Sequence, residues 1–322
     1  MYTTASFAGD KSPCSLGEDD QNQAFSVCEH GYGEANEERT IYSLTNDFVF
    51  KWIFGQQKHE KHCICLLNAL LMLEGDNAIK SLTFLNPFNY KEYKPDKESI
   101  VDTRVKDAKG QLYNIEIQLF PDDSFVSRTT YYLAKLYSSQ LKAGDRYGRL
   151  CKTTGLSLLG FNLFTTSTRI VEVFEFRNRH SDLTLEETMA IHYLDLTKFN
   201  EMKPAKLRTR FEKWLHILKF GDEYVKIKSG LAEELIQEEG VREVVDEMIK
   251  INSDNEKRQL MEAAERSRTC IDLMKTYAYQ SGIEKGVEQT AITMLKKGLE
   301  IELICEFTGL TKQRILEIQH QT

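Results

Sequence analysis

The stretch Val101-Asp102-Thr103-Arg104-Val105-Lys106-Asp107-Ala108-Lys109-Gly110-Gln111-Leu112-Tyr113-Asn114-Ile115-Glu116-Ile117-Gln118-Leu119 decides the reading of this chain. Two extended runs, 101–105 and 112–119, flank Asp107-Ala108-Lys109-Gly110, whose Asp and Gly suit a tight reversal. They predict an antiparallel hairpin folded about residue 109, with Asp102 opposite Glu116. Side chains alternate faces along a strand, so Asn114, Glu116 and Gln118 share one face while Ile115, Ile117 and Leu119 turn to a core. Like charges directly across a hairpin destabilise it. A divalent cation held between them by hard oxygen ligands removes that cost, and the result is the outline of a metal-dependent phosphodiesterase.

Working outward, a helix predicted over 123–142 follows the hairpin. Arg128, Lys135 and Lys142 recur seven residues apart and fall on one face, with Val126, Leu133 and Tyr137 opposite. Arg146, Arg149 and Lys152 continue the basic run. A solvated helix face and a phosphate-contacting face both fit this stripe. Upstream, Thr45 or Asn46 can cap a first helix that stacks Phe50 on Phe54, and a second helix is predicted over 59–73. Strands are expected near 79–85, 100–106 and 112–119, then near 155–164, 170–177 and 190–196. This order predicts an α/β fold, a mixed sheet flanked by helices.

Residues 1–38, rich in Ser, Gly, Asp, Glu and Asn without apolar periodicity, read as a flexible extension before a core over 39–202. A helical extension over 203–285 follows, in which 231–279 is charged, amphipathic and poor in breakers, and which suits packing or dimerisation. The tail, 286–322, reads as three short helices carrying Ala291, Met294 and Leu295, then Ile301, Ile304 and Cys305, then Ile315 and Ile318. Its Thr311 can cap the last of these, and the spacing suits either a helix-turn-helix or a helical docking module.

Composition narrows the class. The 322 residues are 41% hydrophobic and 28% charged, enough for one sizeable core plus an accessory unit. No run approaches a membrane span, and the first residues lack the basic start and apolar stretch of a signal peptide. Seven cysteines at irregular spacing fit reduced thiols in a cytoplasm better than a disulfide framework. A zinc reading of Cys63 and Cys65 with His59 and His62 is weak, because Cys63, Leu66, Leu67 and Leu70 form a helix core face. The net charge of −7 argues against generic adhesion to nucleic acid, so any DNA contact rests on local clusters.

An Asp before a hairpin turn followed by Glu-x-(Lys/Gln) resembles the PD-(D/E)XK nuclease superfamily, and the surrounding text is similar to its Rpn-type branch of recombination-promoting nucleases and transposases. The likeness runs through Thr45-Asn46-Asp47-Phe48-Val49-Phe50-Lys51, Asn114-Ile115-Glu116-Ile117-Gln118, residues 131–144, Gly160-Phe161-Asn162-Leu163-Phe164 and Ile191-His192-Tyr193-Leu194-Asp195-Leu196. It spans roughly residues 40 to 322. The resemblance implies a restriction-endonuclease-like α/β core followed by an all-helical C-terminal region. It implies a Mg²⁺-dependent DNA endonuclease, with Mn²⁺ or Ca²⁺ as substitute ions, linked to recombination or mobile elements. In that reading Asp102, Glu116 and the carbonyl of Ile117 hold the metal, and Gln118 orients a water or a phosphate oxygen. Gln118 stands where the superfamily has Lys; it can hydrogen-bond but carries no charge.

Other residues have two readings each. Asp47 is either a supporting carboxylate or a helix N-terminal charge, and Lys51 is either the cation missing at 118 or an exposed helix lysine. Asp96 in Pro95-Asp96 spells the literal motif, but six residues upstream of Asp102 it cannot pair with Glu116. Two rival functions remain open: a DNA-binding protein without catalysis, and a helical assembly protein, for instance a homodimer through its C-terminal helices.

Overall fold

The computed structural model describes residues 40–87, 103–186, 188–227 and 230–321. The expected N-terminal extension, Pro95, Asp96 and Asp102 lie outside the described residues. Two compact units emerge, Glu37–Glu265 and a second containing Arg266–Thr322.

The first unit opens with helix α1 (Asp47–Phe54), where Asn46 Oδ1 accepts from the backbone N–H groups of Phe48 and Val49 at 3.1 and 3.2 Å. Of the two candidate caps, Asn46 is the one used. Asp47 in the first turn complements the helix dipole. Helix α2 (Glu60–Leu70) buries Cys63, Leu66, Leu67 and Leu70, the face its spacing predicts. Strands β1 (Leu82–Phe84), β2 (Thr103–Asp107) and β3 (Leu112–Gln118) follow, then helix α3 (Phe125–Ser138) and strands β4 (Thr153–Leu159), β5 (Val171–Glu175) and β6 (Met189–Asp195). The six strands form one mixed sheet in the order β1-β2-β3-β4-β6-β5. β3, β4 and β6 are parallel at its centre; β1, β2 and β5 join antiparallel. This is the mixed sheet with flanking helices that the PD-(D/E)XK resemblance implies.

The deciding hairpin turns as expected. Asp107 and Gln111 are joined by a backbone bond of 3.0 Å, and Gln111 N–H also donates to Asp107 Oδ1 at 2.8 Å. Gly110 takes φ +88°, a left-handed conformation that glycine adopts without strain. The register sets Thr103 opposite Ile115 and Lys106 opposite Leu112.

Two cores sandwich the sheet. On one face Val105, Tyr113, Ile115, Leu156, Leu158 and Leu194 pack beneath α1, α2, helix α4 (Arg210–Ile227) and helix α6 (Val241–Ser253). Phe48, Phe54 and Trp214 are fully buried there, each contributing about 1.5–3 kcal/mol by leaving water. On the other face α3 covers a smaller cluster of Phe125, Leu159 and Tyr193.

Two expectations need correction. The helix after the hairpin ends at Ser138, so Lys142 is not on it and the seven-residue stripe stops at Lys135. Its buried face is Phe125, Thr129, Leu133 and Leu136, while Val126 is 44% exposed, because the Phe125 ring takes the place against Phe161 and Tyr193. The charged stretch 231–279 comprises short helix α5 (Glu233–Ile236), α6 and much of helix α7 (Asn255–Lys296), with Gly240 at φ +83° before α6.

The second unit contains the end of α7, helix α8 (Ile301–Thr308) and helix α9 (Lys312–Gln321). Ala291, Ile304, Ile315 and Ile318 form its core, the apolar positions read from the sequence. Thr311 accepts from Arg314 N–H at 3.3 Å, capping α9.

Candidate functional site

Strand β3 sets the geometry. Leu112 N–H donates to Lys152 O, and Gln118 O accepts from Gly160 N–H, so even-numbered backbone groups face β4. The carbonyl of Ile117 therefore points towards the β2 side. A Cβ at Gly160 would stand 2.9 Å from Leu119 Cδ2 and 3.0 Å from its backbone, so only glycine lets β4 close against the end of β3.

The side chains of Asn114, Glu116 and Gln118 lie on the α3 face, in register with Gly155, Ser157 and Leu159. Glu116 is 8% exposed. From α3, Arg128 Nη2 donates to Gln118 Oε1 at 3.1 Å and approaches Glu116 Oε1 at 3.3 Å. Its Nη1 donates to Asp122 Oδ2 at 2.6 Å. Asp122 also starts α3, with Oδ1 accepting from the N–H and Oγ of Ser124 at 2.8 and 2.7 Å. Gln118 Nε2 donates to Phe120 O at 2.9 Å.

Aromatic rings wall the site. Arg128 Cζ lies 5.4 Å from the Phe125 ring centroid. Tyr193, one strand beyond Ser157, bonds Thr129 through their hydroxyls at 2.9 Å. Burial and the nearby Glu116 charge push its phenol above the ordinary range, against the opposing pull of the Thr129 bond.

A family model described as PD-(D/E)XK nuclease family transposase matches residues 44–278. The chain belongs to this family. The match takes in the whole sheet, Glu116, Gln118 and α3. No curated protein and no solved structure matches the chain. The family has a nuclease-type function, and its members generally use divalent metal ions.

The sites read from the sequence fall into three groups. Glu116, Ile117, Gln118 and Arg128 come together, and Arg128 is drawn into the carboxylate site instead of lying on an outward stripe. Lys135 remains outward on α3, 5.9 Å from the exposed Tyr131 ring. Lys142 sits in the loop beyond, with Arg146 and Arg149 exposed beside it. Gln140 closes that loop: its Nε2 donates to Cys151 O and its Oε1 accepts from Cys151 N–H, both at 2.9 Å. Lys51 is buried at 3% exposure and paired with Asp47 at 2.7 Å, which overturns its reading as an exposed lysine. Asp122 was missed, although Asp-x-Ser before a helix is the usual signature of a side chain capping the next turn.

The described residues contain no group of three or more His, Cys, Asp or Glu placed to hold a metal. The donors they do bring together, the Glu116 carboxylate and the Ile117 carbonyl, are hard oxygens of the kind Mg²⁺ takes with one or two carboxylates and water. The register ends one pair short of Asp102, at Thr103 and Ile115.

Proposed function

We propose that the chain is a divalent-metal-dependent DNA endonuclease acting in recombination or on mobile elements. The observation that carries the reading is a nearly buried carboxylate, Glu116, at the end of a central parallel strand, beside an amide and an arginine. In this reading Asp102, Glu116 and the Ile117 carbonyl hold Mg²⁺, for which Mn²⁺ substitutes. When bound, the ion polarises the scissile phosphate and lowers the pKa of a water. Gln118 orients that water or a phosphate oxygen through its amide. Arg128 supplies the positive charge that Gln118 lacks. The aromatic wall of Phe125 and Tyr193 limits water around the reacting phosphate, which strengthens these contacts. Attack by water on phosphorus would release the sugar oxygen without a covalent enzyme intermediate.

Lys135, Lys142 and Arg146 extend away from this site along α3 and its loop, and are assigned to backbone phosphates, while Arg149 is paired with Asp145 at 2.9 Å. From Arg128 to Ser138, where α3 ends, the helical rise is about 15 Å, so one duplex can reach both the site and the loop beyond the helix. Lys51, tied to Asp47, supports α1 in this reading and brings no charge to the phosphate. No described helix is long and apolar enough to cross a membrane, and the five described cysteines are free thiols, in keeping with a reducing, cytoplasmic setting. The test is nicking of supercoiled plasmid with Mg²⁺ or Mn²⁺. Wild-type cleavage that disappears in Asp102→Ala and Glu116→Gln supports the reading, and a wild type that never cuts under either ion sinks it.

A second reading has one observation in its favour. Both cations on the first turn of α9 are engaged with acids: Lys312 with Glu302 at 2.7 Å, and Arg314 with Glu288 at 2.6 Å and Glu317 at 2.9 Å. Such a helix suits protein docking, including a second copy of the chain, better than phosphate contact. Light scattering on the full chain tests it; a monomer at all concentrations removes the self-association version.

A further inference from the structure

A carboxylate as buried as Glu116 requires a counter-cation. Among the described residues Arg128 supplies one, and its contacts are unequal. The Asp122 contact, at 2.6 Å, is as short as a strong charge-assisted bond, whereas the Glu116 contact, at 3.3 Å, is longer than such bonds. Asp122 is in turn held by two bonds from Ser124, and the Phe125 ring supports the guanidinium. One amino group is anchored; the other rests loosely on Glu116 and Gln118.

We propose that Arg128 is a built-in placeholder for the metal: a divalent cation displaces it from Glu116, and the released arm, still anchored by Asp122, then takes a DNA phosphate oxygen beside Gln118. This rests on the nuclease reading above. Before exchange the one guanidinium bridges the Asp122 and Glu116 carboxylates; afterwards the divalent ion would offset Glu116, and the freed guanidinium arm would offset a phosphate. The planar fork of arginine can serve Asp122 and a phosphate together, which the point charge of lysine cannot. The exchange also couples the steps, because the phosphate-binding arm becomes available only once the metal is in place.

The experiment is a Mn²⁺ titration of melting temperature on full-length wild type, Arg128→Gln and Arg128→Lys. Removing the competing cation should lower the Mn²⁺ dissociation constant of Arg128→Gln, fitted to the rise in melting temperature, by about threefold or more, even though its metal-free form melts lower. Arg128→Lys, which keeps a charge but not the fork, should fall between and carries the test if the Gln variant does not fold. DNA affinity against salt gives a second reading: Arg128→Gln should lose about 0.9 of log–log slope in Ca²⁺ and almost none in EDTA. A clear wild-type Mn²⁺ shift with an unchanged or larger fitted dissociation constant in both variants overturns the exchange alone. A shift in the variants with none in wild type supports it, as a placeholder held too tightly. No shift in any of the three overturns the metal site and the exchange with it.

Discussion

Gln118 and Arg128 are joined through one amide oxygen: Gln118 Oε1 accepts from Arg128 Nη2 at 3.1 Å while the amide nitrogen donates to Phe120 O at 2.9 Å. Both ends of the amide are committed, so its direction is set by the fold. The position at which the superfamily resemblance places a lysine is here neutral, and a positive charge stands beside it on a different element. That displacement shapes what substitutions at the site should do.

The metal can be tested without cleavage. A cation that binds only the native state stabilises it through mass action, by about 2.7 kcal/mol at a hundredfold excess over its dissociation constant. Mn²⁺ should therefore raise the melting temperature of wild type. Asp102→Asn and Glu116→Gln keep size and lose charge, and each should abolish most of the rise. An equal rise in all three proteins would place the ion elsewhere.

Lys135 on α3 and the loop beyond it should contribute affinity without sequence preference. Replacing Lys135, Lys142 and Arg146 together by Gln should flatten the log-affinity against log-salt slope by up to about three units, roughly 0.9 for each lost phosphate contact. Competition between unrelated DNA sequences should be unaffected. A slope identical to wild type would leave these side chains as a solvated surface.

His192 should contribute to acid lability. Burial lowers its pKa from 6.5 to about 4, with Lys152 adding to the effect. Since the folded state disfavours the proton, stability is intact above pH 6.5 and is lost as pH falls from there to about 4, by on the order of 2 kcal/mol after allowance for partial exposure. His59, His62 and His216 are lowered in the same direction by burial. Comparing wild type with His192→Asn isolates one share: the gap in urea midpoint between pH 7 and pH 4.5 should be smaller in the variant. An identical gap would mean that His192 is not protonated differently on unfolding.

Period-two alternation and the Asp-x-x-Gly turn made the hairpin legible, because register in a half-buried strand follows from which residues must face the core. Ile115 packs in the main core while Glu116 faces α3, as alternation requires. The apolar set of the tail was equally readable from helical spacing. What the sequence did not disclose was what each end of α3 meets. A seven-residue spacing aligns Arg128 with Lys135 on an ideal helix, but Arg128 lies at the start of α3, within reach of Asp122, Glu116 and Gln118, whereas Lys135 stands two turns further along and exposed. The burial of Lys51 was hidden for a similar reason: seven of the eight residues of α1 are buried, so the helix has almost no solvent face on which a lysine could stand.

The last prediction concerns charge at position 118. If the amide of Gln118 orients water or a phosphate oxygen, Gln118→Ala should slow cleavage by roughly ten- to a thousandfold, the range spanned by lost positioning and lost transition-state stabilisation. DNA affinity in Ca²⁺ should move far less, since the loss belongs to the transition state. Gln118→Lys would restore the superfamily residue, yet it brings an ammonium against the Arg128 guanidinium that now sits 3.1 Å from the amide oxygen. Two cations there repel, so this single substitution should be slower than wild type. Adding Arg128→Gln removes the repulsion while keeping one positive charge, and the double variant should cut faster than either single. That reversal of sign is the diagnostic, because two independent structural lesions would add and not cancel. A Gln118→Lys protein as fast as wild type with Arg128 in place would show that the two side chains part before the chemical step, and a double variant slower than both singles would assign Arg128 to holding Glu116 alone.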